Sequence, residues 1–191
     1  MPASEIIEFC NTVRDRSKEN WNAFNLLLQN GNYGVAIGLL RQEVDSLVRV
    51  AYLNSFNTNF NEQERLIHDF LNGERWHRIS ANGKKQWITD KEMVNLEGGW
   101  VRIVYNFGCK LIHLSDYHSY NRNDPFQKIN RIEKGEIIDY LNFYHQYPFA
   151  DISMEKFVPY LPKVMKKIID NAGYYVRGIE ENIRQQNDSN T

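Results

Sequence analysis

Arg102, Asn106, Cys109 and His113 follow one another at steps of four, three and four residues, a spacing that stacks them in a single line on a helix. The rest of that helix wheel is apolar. Trp100, Val104, Phe107, Leu111 and Leu114 form one arc, and Val101, Tyr105, Gly108 and Ile112 extend it. A narrow polar seam on a helix that is apolar elsewhere points to a lined cleft, a symmetric contact, or buried side chains satisfied by hydrogen bonds, because such groups are costly to bury unpaired. A catalytic use of the seam is easy to write. Histidine titrates near neutral pH and can serve as a general base or acid, which makes His113 a candidate catalytic residue with Arg102 and Asn106 on the same line.

A second line lies upstream, where Arg41, Asp45, Arg49 and Tyr52 recur at steps of four, four and three. Arginines alternating with an aspartate commonly decorate a solvated helix face. The functional alternative is a pair of guanidinium groups held by the carboxylate and aimed at phosphate, which arginine's planar fork of donors suits. Downstream of the seam, Ile112-His-Leu-Ser-Asp-Tyr-His-Ser-Tyr120 is dense in titratable and hydroxyl groups. Within it Tyr117 and His118 join Arg41, Asp45 and Arg49 as candidate binding residues. His113, Asp116 and His118 match none of the zinc-site spacings, so no metal and no cofactor is expected.

These lines need a scaffold, and the chain has material for one. Of its 191 residues 42% are hydrophobic and 13% aromatic, enough for one sizeable core. Twenty-three basic residues against twenty-four acidic leave a net charge of -1, so any charged partner must be met by a local patch. The first residues, Met1 to Glu8, lack a basic leader followed by an apolar stretch, and no apolar run has the roughly 18 residues of a membrane span. Cys10 and Cys109 are far apart and in no metal-binding spacing, which fits a reducing compartment. A cytoplasmic protein without membrane contact is expected. Gly-rich phosphate loops, nucleophile elbows and Cys-x-x-Cys motifs are absent from the sequence.

Apolar periodicity predicts helices over about 4–29, 33–55 and 62–71, with Asn30-Gly31-Asn32 and Asn72-Gly73 as stops. Around Asn82-Gly83, a type I′ turn signal, residues 75–88 read as a small β-hairpin. Thr89-Asp-Lys-Glu92 has the form of a capping box that opens a fourth helix reaching about Leu114. After a long loop at Asp124-Pro125, a fifth helix is predicted over about 134–147, ended by Pro148. A last helix opens after Ser153 and must kink or restart at Pro159 and Pro162. The expected architecture is a single all-α domain over 1–185, a bundle of five or six helices, with a disordered tail at 186–191. Wide apolar faces on the second and fourth helices lead to the expectation of a homodimer.

Two basic stretches remain. Arg75, Arg78, Lys84 and Lys85 surround Trp76, His77 and Trp87, the mixture of cations and stacking faces that single-stranded nucleic acid requires. The plainer reading has the tryptophans pinning the hairpin to the bundle while the cations stay in water. Lys156, Lys163, Lys166 and Lys167 read as a solvated face.

At Leu39-Leu-Arg-Gln-Glu-Val-Asp-Ser-Leu-Val-Arg49, Ile88-Thr-Asp-Lys-Glu-Met93, Ile112-His-Leu-Ser-Asp-Tyr-His118 and Asn123-Asp-Pro-Phe126, the chain resembles uncharacterised bacterial proteins of HEPN-like type, over most of residues 33–147. The resemblance implies an all-α bundle that dimerises and, in many members, a metal-independent ribonuclease of toxin or antiviral systems. The family's catalytic signature, an arginine followed after four to six residues by a histidine, is matched at none of the five histidines. Asn106 occupies the arginine's place relative to His113, and Arg102 lies one turn earlier. The expected function is therefore a binding or regulatory module for a phosphate-bearing ligand, RNA or a protein partner, with the ribonuclease as the alternative, in which His113 would act on the ribose 2′-hydroxyl as general base, Arg102 (or Arg49 from the second helix) would offset charge developing on the phosphate, and Asn106 would orient it.

Overall fold

The computed structural model describes residues 3–55, 60–112 and 115–189, with side chains described over 4–55, 60–112 and 115–182. His113 and Leu114 lie outside the described residues. The fold is built from helices: α1 (Ala3–Gln29), α2 (Tyr33–Asn54), α3 (Phe60–Leu71), α4 (Asp90–Glu97), α5 (Gly99–Ile112), α6 (Arg131–His145), the single turn α7 (Met154–Phe157) and α8 (Leu161–Ser189). One hairpin, β1 (His77–Ile79) and β2 (Lys85–Trp87), stands between α3 and α4. This is the expected all-α chain with a small hairpin, in more pieces than the five or six helices read from periodicity. No helix among the described residues is long and apolar enough to cross a membrane.

The predicted stops hold for a physical reason. At the end of α1, Gly31 takes φ 71°, its N–H donates to the Leu28 carbonyl at 3.0 Å, and the Asn32 N–H donates to that of Leu27 at 2.9 Å. Two orphan carbonyls are thereby satisfied in a Schellman arrangement. Gly73 (φ 71°) closes α3 in the same way, with Gly73 N–H to Phe70 at 3.0 Å and Glu74 N–H to Asp69 at 2.7 Å. α6 begins and ends a few residues before its expected limits. It is capped by Asn130, whose side chain accepts from the Glu133 N–H, and is stopped by Gln146 at φ 57°. The restart near the prolines is seen as α7, a 3₁₀ turn at Val158–Tyr160, and then α8, which places Pro162 in its first turn. α8 continues to Ser189, into the tail expected to be disordered.

Two local expectations are corrected. The predicted fourth helix is two helices, because Gly98 (φ 66°) and Gly99 (φ 47°) leave the right-handed region between α4 and α5. Its start is as expected, Thr89 Oγ1 accepting from the Glu92 N–H at 3.2 Å, but the Glu92 carboxylate pairs with Arg78. The hairpin turn is not type I′, which needs positive φ at both central residues. Only Gly83 has it, at 77°. The turn closes from Gly83 N–H to the Ser80 carbonyl at 2.8 Å, and the Ser80 N–H donates to Lys84 at 2.9 Å, a three-residue loop ending in a left-handed glycine.

The described chain forms two compact units, one from residues 1–18, 45–97 and 169–191 and the other from 19–44 and 98–168. In the first, Phe9 meets Phe70 edge to face at 4.9 Å, with Leu47, Leu66, Ile67 and Met93 buried. In the second, Phe107, Phe126 and Phe157 form a mutual cluster with centroids 5.0–5.5 Å apart. Here the α2 and α5 backbones come close because Gly108 has no side chain: a Cβ there would stand 2.7 Å from the Arg41 Cβ. Gly108→Ala should therefore cost about 1–3 kcal/mol, read as a lower denaturation midpoint at unchanged slope. Alanine at Gly38, whose added Cβ would meet nothing within 4 Å, serves as the tolerated control.

Candidate functional site

Two residues of the seam on α5 face solvent. Arg102 and Asn106 are exposed and Cys109 is half-buried, while Val101, Val104, Phe107, Gly108 and Leu111 are buried. Ile112, read as part of the apolar arc, is 48% exposed. The polar stripe is thus the outer side of α5, and His113, the residue on which its catalytic reading turns, lies outside the described residues.

The second line divides. Arg41 is buried, its guanidinium carbon 3.9 Å from the centroid of the Tyr105 ring and its Nε 3.5 Å from the Cys109 sulfur. A cation on an aromatic face and a soft acceptor replace part of the water it has lost. Arg49 donates through Nε to Asp45 at 3.1 Å and through an Nη to Asp90 at 2.9 Å, and its guanidinium lies 5.2 Å from the Trp76 ring. Arg16 approaches Asp45 at 3.9 Å. Burial raises the Asp45 carboxyl above its ordinary value, with Asp90 adding to the rise and Arg49 opposing it. Arg41 and Arg49 are thus engaged by neighbouring side chains and are not presented together as a phosphate fork.

The described part of the run after α5 makes local contacts. Ser115 caps the 3₁₀ turn Asp116–Ser119 by accepting from the Tyr117 N–H, and His118 Nδ1 accepts from the Ser115 N–H at 3.3 Å. Asp116 pairs with Lys128 at 2.9 Å, and Tyr117 is half-buried with Lys110 Nζ 5.6 Å from its ring. Among the described residues no three His, Cys, Asp or Glu side chains are grouped to hold a metal ion.

Exposed stacking surface is found instead on the hairpin. The register pairs His77 with Trp87, Arg78 with Gln86 and Ile79 with Lys85. Period-two alternation puts His77, Ile79, Lys85 and Trp87 on one face. The two tryptophans have opposite fates. Trp76 is 2% exposed and packs at the hairpin's root against Tyr52, ring centroids 6.2 Å apart, as the pinning reading expects. Trp87 is 47% exposed, with the Arg75 guanidinium 5.1 Å from its ring and the buried His77 edge-on at 5.9 Å. Arg75, Lys84 and Lys85 are exposed, and Arg78 is taken up by Glu92 and Gln86.

Three features were not read from sequence. Glu43 is fully buried on α2 and accepts from Asn20 at 2.7 Å, although in an amphipathic pattern a glutamate reads as solvated. A small apolar cavity in the second unit is lined by Ile37, Leu40, Val104, Phe107, Ile137 and Tyr140. Beside it Tyr140 and His145 share a hydrogen bond at 3.0 Å. Lys167, expected on a solvated face, places Nζ 3.8 Å from the Tyr144 ring centroid and 4.7 Å from that of Trp100.

Fold and site together define a helical protein that displays a basic, aromatic hairpin. Comparison with protein-family models, with curated proteins and with solved structures gives no match.

Burial, with Lys167 and Lys163 beside it, lowers the His145 pKa from 6.5 to about 4. The folded state thus holds this imidazole neutral where the unfolded chain would protonate it. Its contribution is complete above pH 6.5 and is lost as pH falls toward about 4. The loss amounts to roughly 3 kcal/mol at most. Denaturation midpoints across that window should fall for the wild type and change less for His145→Gln.

Proposed function

We propose that this chain is a HEPN-like helical binding module that recognises single-stranded RNA through its hairpin and does not turn it over. The observation that carries the reading is the exposed Arg75–Trp87 pair beside Lys84 and Lys85. A base can stack on the free face of Trp87, where an indole contributes about 1–3 kcal/mol per base whatever the base is. The cations sit where the strand's phosphates would pass, and displacing counterions there gives salt-dependent affinity. Bases of a duplex are stacked on one another, so a single flat platform selects unpaired strands. The helical fold and the likeness within residues 33–147 support the HEPN-like part of the reading.

The ribonuclease reading keeps one observation in its favour. Arg102 and Asn106 stand exposed one turn apart on α5, whose sequence continues into His113. Against it, Arg41 is buried and the half-buried Arg49 is engaged by Asp45 and Asp90, so neither stands open as a second phosphate-binding cation.

Titration of a labelled single-stranded pyrimidine oligoribonucleotide should quench tryptophan fluorescence. Trp87→Ala should weaken binding by roughly 5- to 100-fold, Trp87→Phe by much less, and Lys85→Ala should flatten the dependence on salt. The oligonucleotide should be recovered intact in the presence and absence of EDTA. Equal affinity of wild type and Trp87→Ala would refute the reading, and cleavage abolished by His113→Ala would replace it with the ribonuclease.

A further inference from the structure

The two most exposed large apolar residues among the described residues are on one helix. Ile132 and Phe143 of α6 are each 79% exposed. Between them on the same line fall Glu136 and Asp139, both exposed, so that Ile132, Glu136, Asp139 and Phe143 follow at steps of four, three and four. The line extends for about 16 Å at 1.5 Å per residue. Tyr144, 43% exposed, packs edge-on against Phe143 at 4.7 Å and broadens the apolar end, while its ring also receives the Lys167 ammonium at 3.8 Å and the exposed Arg131 adjoins Ile132 at the other end. Neighbouring acids are used inside the protein, Glu133 pairing with Lys110 at 3.2 Å. No ion pair engages Glu136 or Asp139 among the described residues. Isolated apolar residues at a surface are ordinary. Two large ones spaced as helix anchors, with open carboxylates between them, have the form of a helix-docking face.

We infer that the outer face of α6, Ile132-Glu136-Asp139-Phe143, is a docking site for a basic amphipathic helix of a partner protein. Charge complementarity selects this occupant. A helix carrying apolar residues opposite Ile132 and Phe143 would set lysine or arginine against the two carboxylates, where complementary charge steers encounter and fixes register. A second copy of α6 laid antiparallel on this face would bring Glu136 opposite Asp139, like against like. Nucleic acid and an anionic bilayer are repelled by the same carboxylates. The inference is independent of the hairpin reading, which concerns another surface and the opposite charge.

The probe is a synthetic helical peptide with leucines and lysines at the same four-three-four spacing, labelled for fluorescence anisotropy and titrated with the full chain. Saturable binding is expected, weaker at high salt. It should weaken roughly tenfold or more in Phe143→Ser and in the double variant Glu136→Lys, Asp139→Lys, and be retained in Phe143→Leu. A peptide with glutamates in place of the lysines should not bind. Circular dichroism should show all variants folded, since the altered side chains are exposed. The inference is overturned if the lysine peptide does not bind, if the glutamate peptide binds as well, or if the folded variants bind like wild type. It is also overturned if sedimentation of the free chain shows a dimer that Phe143→Ser disperses, which would assign the face to a second copy.

Discussion

A buried helix that carries charge has to have every charge answered, and α2 is that helix. Along Tyr33–Asn54 only Val35 and Gln42 are exposed, yet the segment contains Arg41, Glu43, Asp45 and Arg49. Leaving any one of them desolvated and unpaired would cost several kcal/mol, comparable to the whole stability of a domain. The surroundings follow from that requirement. Asn20 of α1 donates to Glu43, Tyr105 and Cys109 of α5 receive Arg41, and Asp90 at the start of α4 joins Asp45 around Arg49. Gly108 belongs to the same arrangement, because Arg41 reaches Tyr105 and Cys109 from a backbone that a side chain at 108 would hold off. Replacing such buried pairs by apolar residues is often neutral or stabilising in other proteins, whereas removing one partner alone is strongly destabilising, so each charge on α2 requires the partner it has.

That requirement also explains which residues were misread. Arg41, Asp45 and Arg49 share a line at i, i+4 spacing, the pattern of a solvated salt-bridged face. Sequence cannot tell such a face from a buried one whose partners lie about 40 to 70 residues away, as Asp90 and Cys109 do. The opposite error occurred on α5, where wheel positions apolar over most of the circumference made Arg102 and Asn106 look enclosed. Ile112 and the half-buried Tyr105 show that apolar identity overstated burial there. Legible features were those set by local chemistry: glycine stops after α1 and α3, the helix start after Ser153, and the hairpin about Gly83. The break at Gly98-Gly99 was local too, but apolar spacing that continued across it from Met93 to Val104 masked the glycine signal.

The hairpin shows how one short element can be both anchored and displayed. Alternation along each strand gives it two faces, and Trp76 and Ile88, beyond the paired residues, are buried at 2% and 4% exposure. The Ile88 N–H donates to the Trp76 carbonyl at 3.0 Å, continuing the ladder to the root. A two-stranded ribbon is marginal by itself, so its stability has to come from that root and from Arg78, which bridges Gln86 and Glu92. With the root secured, Ile79, Lys85 and Trp87 on the other face are free of any packing requirement, and a tryptophan 47% exposed there is left for contact.

Net charge conceals this division. At -1 the chain is close to neutral, yet local groups of either sign stand exposed, Arg75, Lys84 and Lys85 on the hairpin and Glu136 and Asp139 on α6. At a Debye length of about 8 Å each patch acts on what lies directly against it and little on anything farther away. A near-zero total therefore does not weaken either surface, and a polyanion and a basic helix would meet local fields of opposite sign. Both patches pair their charge with exposed large apolar side chains, Trp87 and Ile79 on one, Ile132 and Phe143 on the other. Charge alone would steer partners without holding them, and apolar area alone would hold without selecting; the two together give a surface that does both.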